Sequence, residues 1–141
     1  MDKKPSAVLA IFDDDPDDQV LLKRAFEDCR QGIEIHIFKR DKELLDHLGK
    51  TGAAGFKPPD LIILGLRLEW ENNFELVKKI KSDRNLKHIP LVVLIGSLAD
   101  TEVRQFYELG VNTVIEWPFV WDELVEVVKK ICDYWFGVLG A

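Results

Sequence analysis

Basic residues are in the minority: 19 Lys and Arg stand against 25 Asp and Glu, a formal net charge of -6. That balance argues against nucleic acid held by phosphate contacts and against an anionic membrane surface. Cysteine is nearly absent. Cys29 and Cys132 lie far apart, with neither metal-ligand spacing nor a secretory context, and both are expected to be reduced and packed against helix faces. His36, His47 and His88 show no ligand spacing either and read as surface or strand-edge residues. Long hydrophobic runs are missing. The apolar stretch from Ala7 to Phe12 is too short for a secretory leader and runs into three aspartates, so a cytoplasmic protein with no membrane partner is expected. There is no Gly-rich phosphate loop and no nucleophile set beside a base, which argues against an enzyme. Repeats and linkers are absent too, and a 47% hydrophobic content supports one sizeable core, so residues 1–141 are expected to form a single domain with an apolar tail over about 134–141.

What is present is an alternation of apolar strands and amphipathic helices. Asp60 to Leu68, DLIILGLRL, reads as a fully buried strand in the middle of a parallel sheet. Val8 to Phe12 is a first buried strand. Asp13, Asp14, Asp15, Pro16, Asp17 and Asp18 follow it, and Val20, Leu21, Leu22, Ala25, Phe26 and Cys29 then fall at helical spacing on one face. Pro16 suits the first helical turn, and the acids suit the positive end of the helix dipole, so capping alone accounts for Asp17 and Asp18. Ile33, Ile35 and Ile37 alternate with Glu34 and His36, the period of a strand near a sheet edge. Asp41 is expected to cap the next helix, which carries Leu44, Leu45 and Leu48, and a long loop over 49–59 leads to the central strand.

A helix with Phe74, Val77 and Ile80 follows, capped by Asn72 or Asn73, and then LVVLIG, another continuous strand. Ser97 or Asp100 opens a helix expected to bury Val103, Phe106 and Tyr107, and Gly110 stops it. Thr113 to Glu116 is the last strand and a helix from about Trp121 to Ile131 closes the pattern. Five strands alternating with five helices imply right-handed βαβ units and an α/β, flavodoxin-like, doubly wound parallel sheet of order 2-1-3-4-5. In that order the ligand crevice lies at the tips of the first and third strands, at Asp13, Asp14 and Gly65.

The segments DDDPDDQVLLKRAF, PPDLIIL, HIPLVVL, YELGVN and CDYWF resemble the stand-alone receiver domains of two-component response regulators, over essentially the whole chain. The resemblance implies a phosphoacceptor aspartate where this chain has Gly65, and Asp13 and Asp14 match the acidic pair that holds Mg²⁺. The hydroxyl residue that closes the fourth strand corresponds to Ile95, the lysine after the fifth strand to Trp117, and the switch aromatic to Val114. Charge neutralisation and readout are thus removed together. Glu69 and Ser97 share the rim, and Arg67 leans to the same side as Gly65 and is the nearest cation in sequence for the acids. Gly65 is also compatible with a close backbone approach.

Those replacements imply a signalling interaction module that binds protein partners without phosphorylation, with no cofactor beyond weak Mg²⁺ at Asp13 and Asp14. A phosphorelay receiver with a displaced acceptor, and a small-ligand-binding flavodoxin-like domain, are the alternatives. Trp117, Phe119, Trp121, Tyr134, Trp135 and Phe136 crowd the end of the chain and suggest an interface, most simply a homodimer through the fifth strand and last helix. Folding back as core is the competing account for Phe119 and Trp135.

Overall fold

The computed structural model describes residues 7–29, 32–67, 73–96, 100–118 and 120–138. The strands are β1 (Ala7–Phe12), β2 (Ile33–Phe38), β3 (Leu61–Leu66), β4 (Leu91–Ile95) and β5 (Thr113–Glu116). The helices are α1 (Pro16–Cys29), α2 (Asp41–Leu48), α3 (Asn73–Ser82), α4 (Asp100–Glu108) and α5 (Trp121–Ile131), and a π-helix follows over Cys132–Val138. All strand pairs are parallel, in the order β2-β1-β3-β4-β5. The expected topology is therefore the observed one.

Burial explains the sequence pattern. Every residue of β1, β3 and β4 is buried, whereas β2 and β5 at the edges are only partly covered. Because side chains alternate along a strand, the sheet feeds two cores. Ala10, Phe12, Ile62, Leu64, Val93 and Ile95 meet α2, α3 and α4 on one face. Leu9, Ile11, Leu61, Ile63, Val92 and Leu94 meet α1 and α5 on the other.

Local detail departs from expectation in five places. Of the α1 face only Leu22, Ala25 and Phe26 are buried, while Val20 and Leu21 are exposed at 65% and 39%, because a single sheet face accepts a narrower stripe than six residues supply. Asp41 does not cap α2; Arg40 holds the cap position, and the Asp41 carboxylate accepts from Lys42 N. Asn73 is the first residue of α3, and its amide donates to the Arg67 carbonyl instead of capping, while Asn72 and Ser97 lie outside the described residues. Tyr107 is exposed where burial was expected, and only Phe106 of the trio is fully buried. Finally, Cys29 and Cys132 are not separate thiols: they are joined by a disulfide between α1 and the start of the π-helix. Sequence spacing is blind to this pairing because α1 and α5 pack side by side across 103 residues of chain.

Candidate functional site

The C-terminal tips of β1 and β3 lie together because Phe12 pairs with Leu64. One step beyond, Asp13 and Gly65 continue the rows of Leu9, Ile11 and of Leu61, Ile63, so both face the α1 and α5 side. Asp13 is 3% exposed. A Cβ built on Gly65 would lie 2.9 Å from the Asp13 Cγ and 3.2 Å from its Cβ, and would collide with Oδ2. The Asp13 carboxyl thus occupies the volume that a side chain at position 65 would need. The glycine is explained by this close approach: its φ is not in the left-handed region.

A polar frame fixes Asp13 in place. Its Oδ1 accepts from Asp15 N at 2.9 Å, its backbone carbonyl accepts from the Gln19 side chain, and its own N–H donates to the Phe38 carbonyl at 3.0 Å. Burial, reinforced by Asp18 and Asp14, pushes its pKa up to about 7 despite the Asp15 N–H bond. Asp18, raised chiefly by burial, shares a side-chain hydrogen bond with Asp13, and two carboxyls bond only when one carries a proton.

Asp15, read in the sequence as one of a run of acids and not as a cap, organises the entry to α1. Its Oδ1 accepts from Asp17 N at 2.8 Å and Asp18 N at 3.3 Å, the N-cap pattern with Pro16 in the first helical position. These two backbone donors hold its carboxyl below the usual range. Capping therefore belongs to Asp15, with Asp17 and Asp18 as the residues capped. An aspartate immediately before proline at a helix start was the available signal.

Arg67 does reach the cluster. Its Nε donates to Asp14 at 3.1 Å and its second guanidinium nitrogen to Asp15 at 3.0 Å. The pairs are 40% exposed at the arginine, so solvent screens them and each contributes little to stability. Their importance is in place: a resident cation now bridges the acids beside Gly65, and the bond to Asp14 raises its own pKa further. The donor set is consequently a poor one for a divalent metal. Asp13 is buried and proton-sharing, while Asp14 and Asp15 are engaged by a guanidinium. Among the described residues no group of three or more His, Cys, Asp or Glu is placed to hold a metal ion.

The three positions matched to the hydroxyl, the lysine and the switch aromatic are packing residues here. Ile95 is 1% exposed in the core under α3 and α4. Val114 packs against that core, and its N–H donates to the Tyr107 hydroxyl at 3.0 Å. Trp117 is half-buried and leans on the α1 and α5 core, with its N–H donating to the Ile95 carbonyl.

The aromatics expected at one corner are dispersed. Trp121 lies under Arg24 of α1, 6.0 Å from guanidinium carbon to ring centroid. Tyr134 and Trp135 meet edge to face at the other end of α5, Tyr134 exposed and Trp135 partly buried. Phe136, at 4% exposure, is core and leaves the interface set, because the π-helix turns it inward. Phe119 and Glu69 lie outside the described residues. No described helix is long and apolar enough to cross a membrane.

The chain is 30% identical over 130 residues to a probable methanogenesis regulatory protein, FilR2, of Methanothrix harundinacea, covering 92% of this chain and 84% of that one. It is 27% identical over 135 residues to the response regulator Rcp1 of Synechocystis, covering 95% and 92%. Among solved structures, the phosphorylated cyanobacterial phytochrome response regulator RcpA matches with a TM-score of 0.84 at 29% identity, covering 94% of this chain and 96% of that one. The Mn²⁺-bound form of Rcp1 matches with a TM-score of 0.79 at 27% identity, covering 92% and 94%. The parallel sheet of order 2-1-3-4-5, the acidic tip of β1 and a match of residues 9–129 to the response regulator receiver domain lead to one conclusion: the chain belongs to that family.

Proposed function

We propose that this receiver is a protein-interaction module of a signalling pathway whose binding state is not set by phosphorylation. The observation that carries the reading is the buried Asp13 carboxyl lying in the space above Gly65, where a phosphoacceptor side chain would stand. Acyl-phosphate formation needs a carboxylate nucleophile and neutralisation of the incoming charge. Gly65 offers no nucleophile, Ile95 and Trp117 offer neither hydroxyl nor cation, and Arg67 is spent on Asp14 and Asp15. Mg²⁺ binding at Asp13 and Asp14 is correspondingly weak.

Incubation with a small phosphodonor and Mg²⁺, read by intact mass, tests the proposal. The expected result is an unchanged mass. A stable gain of one phosphate mapped to a crevice residue establishes the displaced-acceptor alternative instead.

The same reading extends to assembly. A homodimer through the fifth strand and last helix is supported by the exposure of Tyr107 (46%) on α4 and of Val120 (53%) and Tyr134 (52%) around α5, beside a partly covered β5. Light scattering at high micromolar concentration should give twice the monomer mass, and a monomer there removes the homodimer.

A further inference from the structure

The disulfide closes nearly the whole molecule on itself, and nothing in the receiver's signalling chemistry uses it. Cys29 is the last residue of α1 and Cys132 the first of the π-helix, with Cα atoms 6.9 Å apart. Leu124, Val128, Cys132 and Phe136 are buried in one core at every fourth position, a wider step than the 3.6 of an α-helix, and the broader π turn keeps that row facing inward. Cys132 is the hinge of the row. The bond therefore fastens to α1 the point at which the C-terminal turn, with Tyr134, Trp135 and Phe136, departs from α5.

We propose that Cys29 and Cys132 are a thiol–disulfide couple that staples this turn to α1, so that the redox poise of the surroundings sets how firmly the C-terminal aromatics are seated. The proposal is independent of the phosphorylation reading. Chemically, two protein thiols transfer two electrons and two protons to a low-molecular-weight disulfide, which is released as two thiols while the Cys29–Cys132 bond forms; an excess of small thiol runs the exchange backwards. Access favours Cys29, which is only partly buried, over Cys132, which is 4% exposed, so the mixed disulfide forms first on Cys29.

The test uses the intact chain equilibrated in reduced and oxidised glutathione. In oxidised buffer the expected mass is two hydrogens lighter, with a peptide map joining Cys29 to Cys132. Hydrogen exchange over 132–138 should then be slower by about tenfold or more than in the reduced protein. Cys29→Ser should match the reduced form in both buffers, and Cys132→Val, which preserves the buried volume, guards against a serine at position 132 unfolding the core. Two results overturn the proposal: a glutathione adduct on Cys29 that never resolves to the internal bond, or an internal bond that leaves exchange over 132–138 unchanged.

Discussion

Asp13 and Gly65 form a steric pair, and substitutions at either one report on the other. Gly65→Asp brings a new Cβ to 2.9 Å from the Asp13 Cγ, so Asp13 must swing out, abandon the Asp15 N–H and accept a second carboxylate beside it. A loss of about 1–3 kcal/mol in a urea melt is expected, still with no phosphate gained from a small donor. Asp13 also sets a pH dependence. Its folded pKa of about 7 lies above the unfolded value of 3.8, so the folded state binds the extra proton. The stabilisation is fully present below about pH 4 and is lost as pH rises through 7, on the order of 2–4 kcal/mol across the window. Asp15, whose pKa is lowered, acts oppositely, its contribution fading as pH falls below the usual carboxylate range. Between pH 4 and 7, Asp13→Asn should flatten the fall in Tm expected of the parent, and an unchanged slope would assign the proton elsewhere.

Elements are tied together by a few polar side chains whose partners lie distant in sequence. Asn112, just before β5, accepts the Leu91 N–H at 2.9 Å and the Lys81 ammonium at 3.3 Å, while Lys81 also donates to the Ile89 carbonyl at 2.9 Å. Leu91 is fully buried, so Asn112→Ala strands its N–H at the start of β4. A loss of about 1–2 kcal/mol is expected by chemical denaturation, with the sheet retained. The elements themselves were legible in sequence because β1, β3 and β4 are apolar runs, β2 alternates with a period of two and each helix carries an apolar stripe, and the strand order followed from their alternation. The site was legible only as a set of substitutions. Gly65, Ile95, Val114 and Trp117 could be located by matching motifs, but that Asp13 lies over Gly65 depends on strand register. That Arg67 spans Asp14 and Asp15 depends on a side chain crossing more than fifty residues of sequence. Tyr107, Asn112 and the cysteine pair were illegible for the same reason: each acts across packed elements.

At the scale of the whole molecule, the sheet ends on one side at β5, whose outer backbone groups β4 does not reach. Such an edge is a template on which a strand of another chain can add, and natural sheets guard against it. Here a phenol serves as a guard: the Tyr107 hydroxyl takes the Val114 N–H in the middle of a four-residue strand. A strand approaching this edge therefore finds its central donor already taken. Tyr107→Phe would unlock the edge while altering little else. Turbidity on prolonged incubation should rise for that variant and stay flat for the parent, and equal turbidity would show that the edge is guarded by something other than the hydroxyl. A tyrosine that faces solvent at one end thus closes the middle of an edge strand to strand addition.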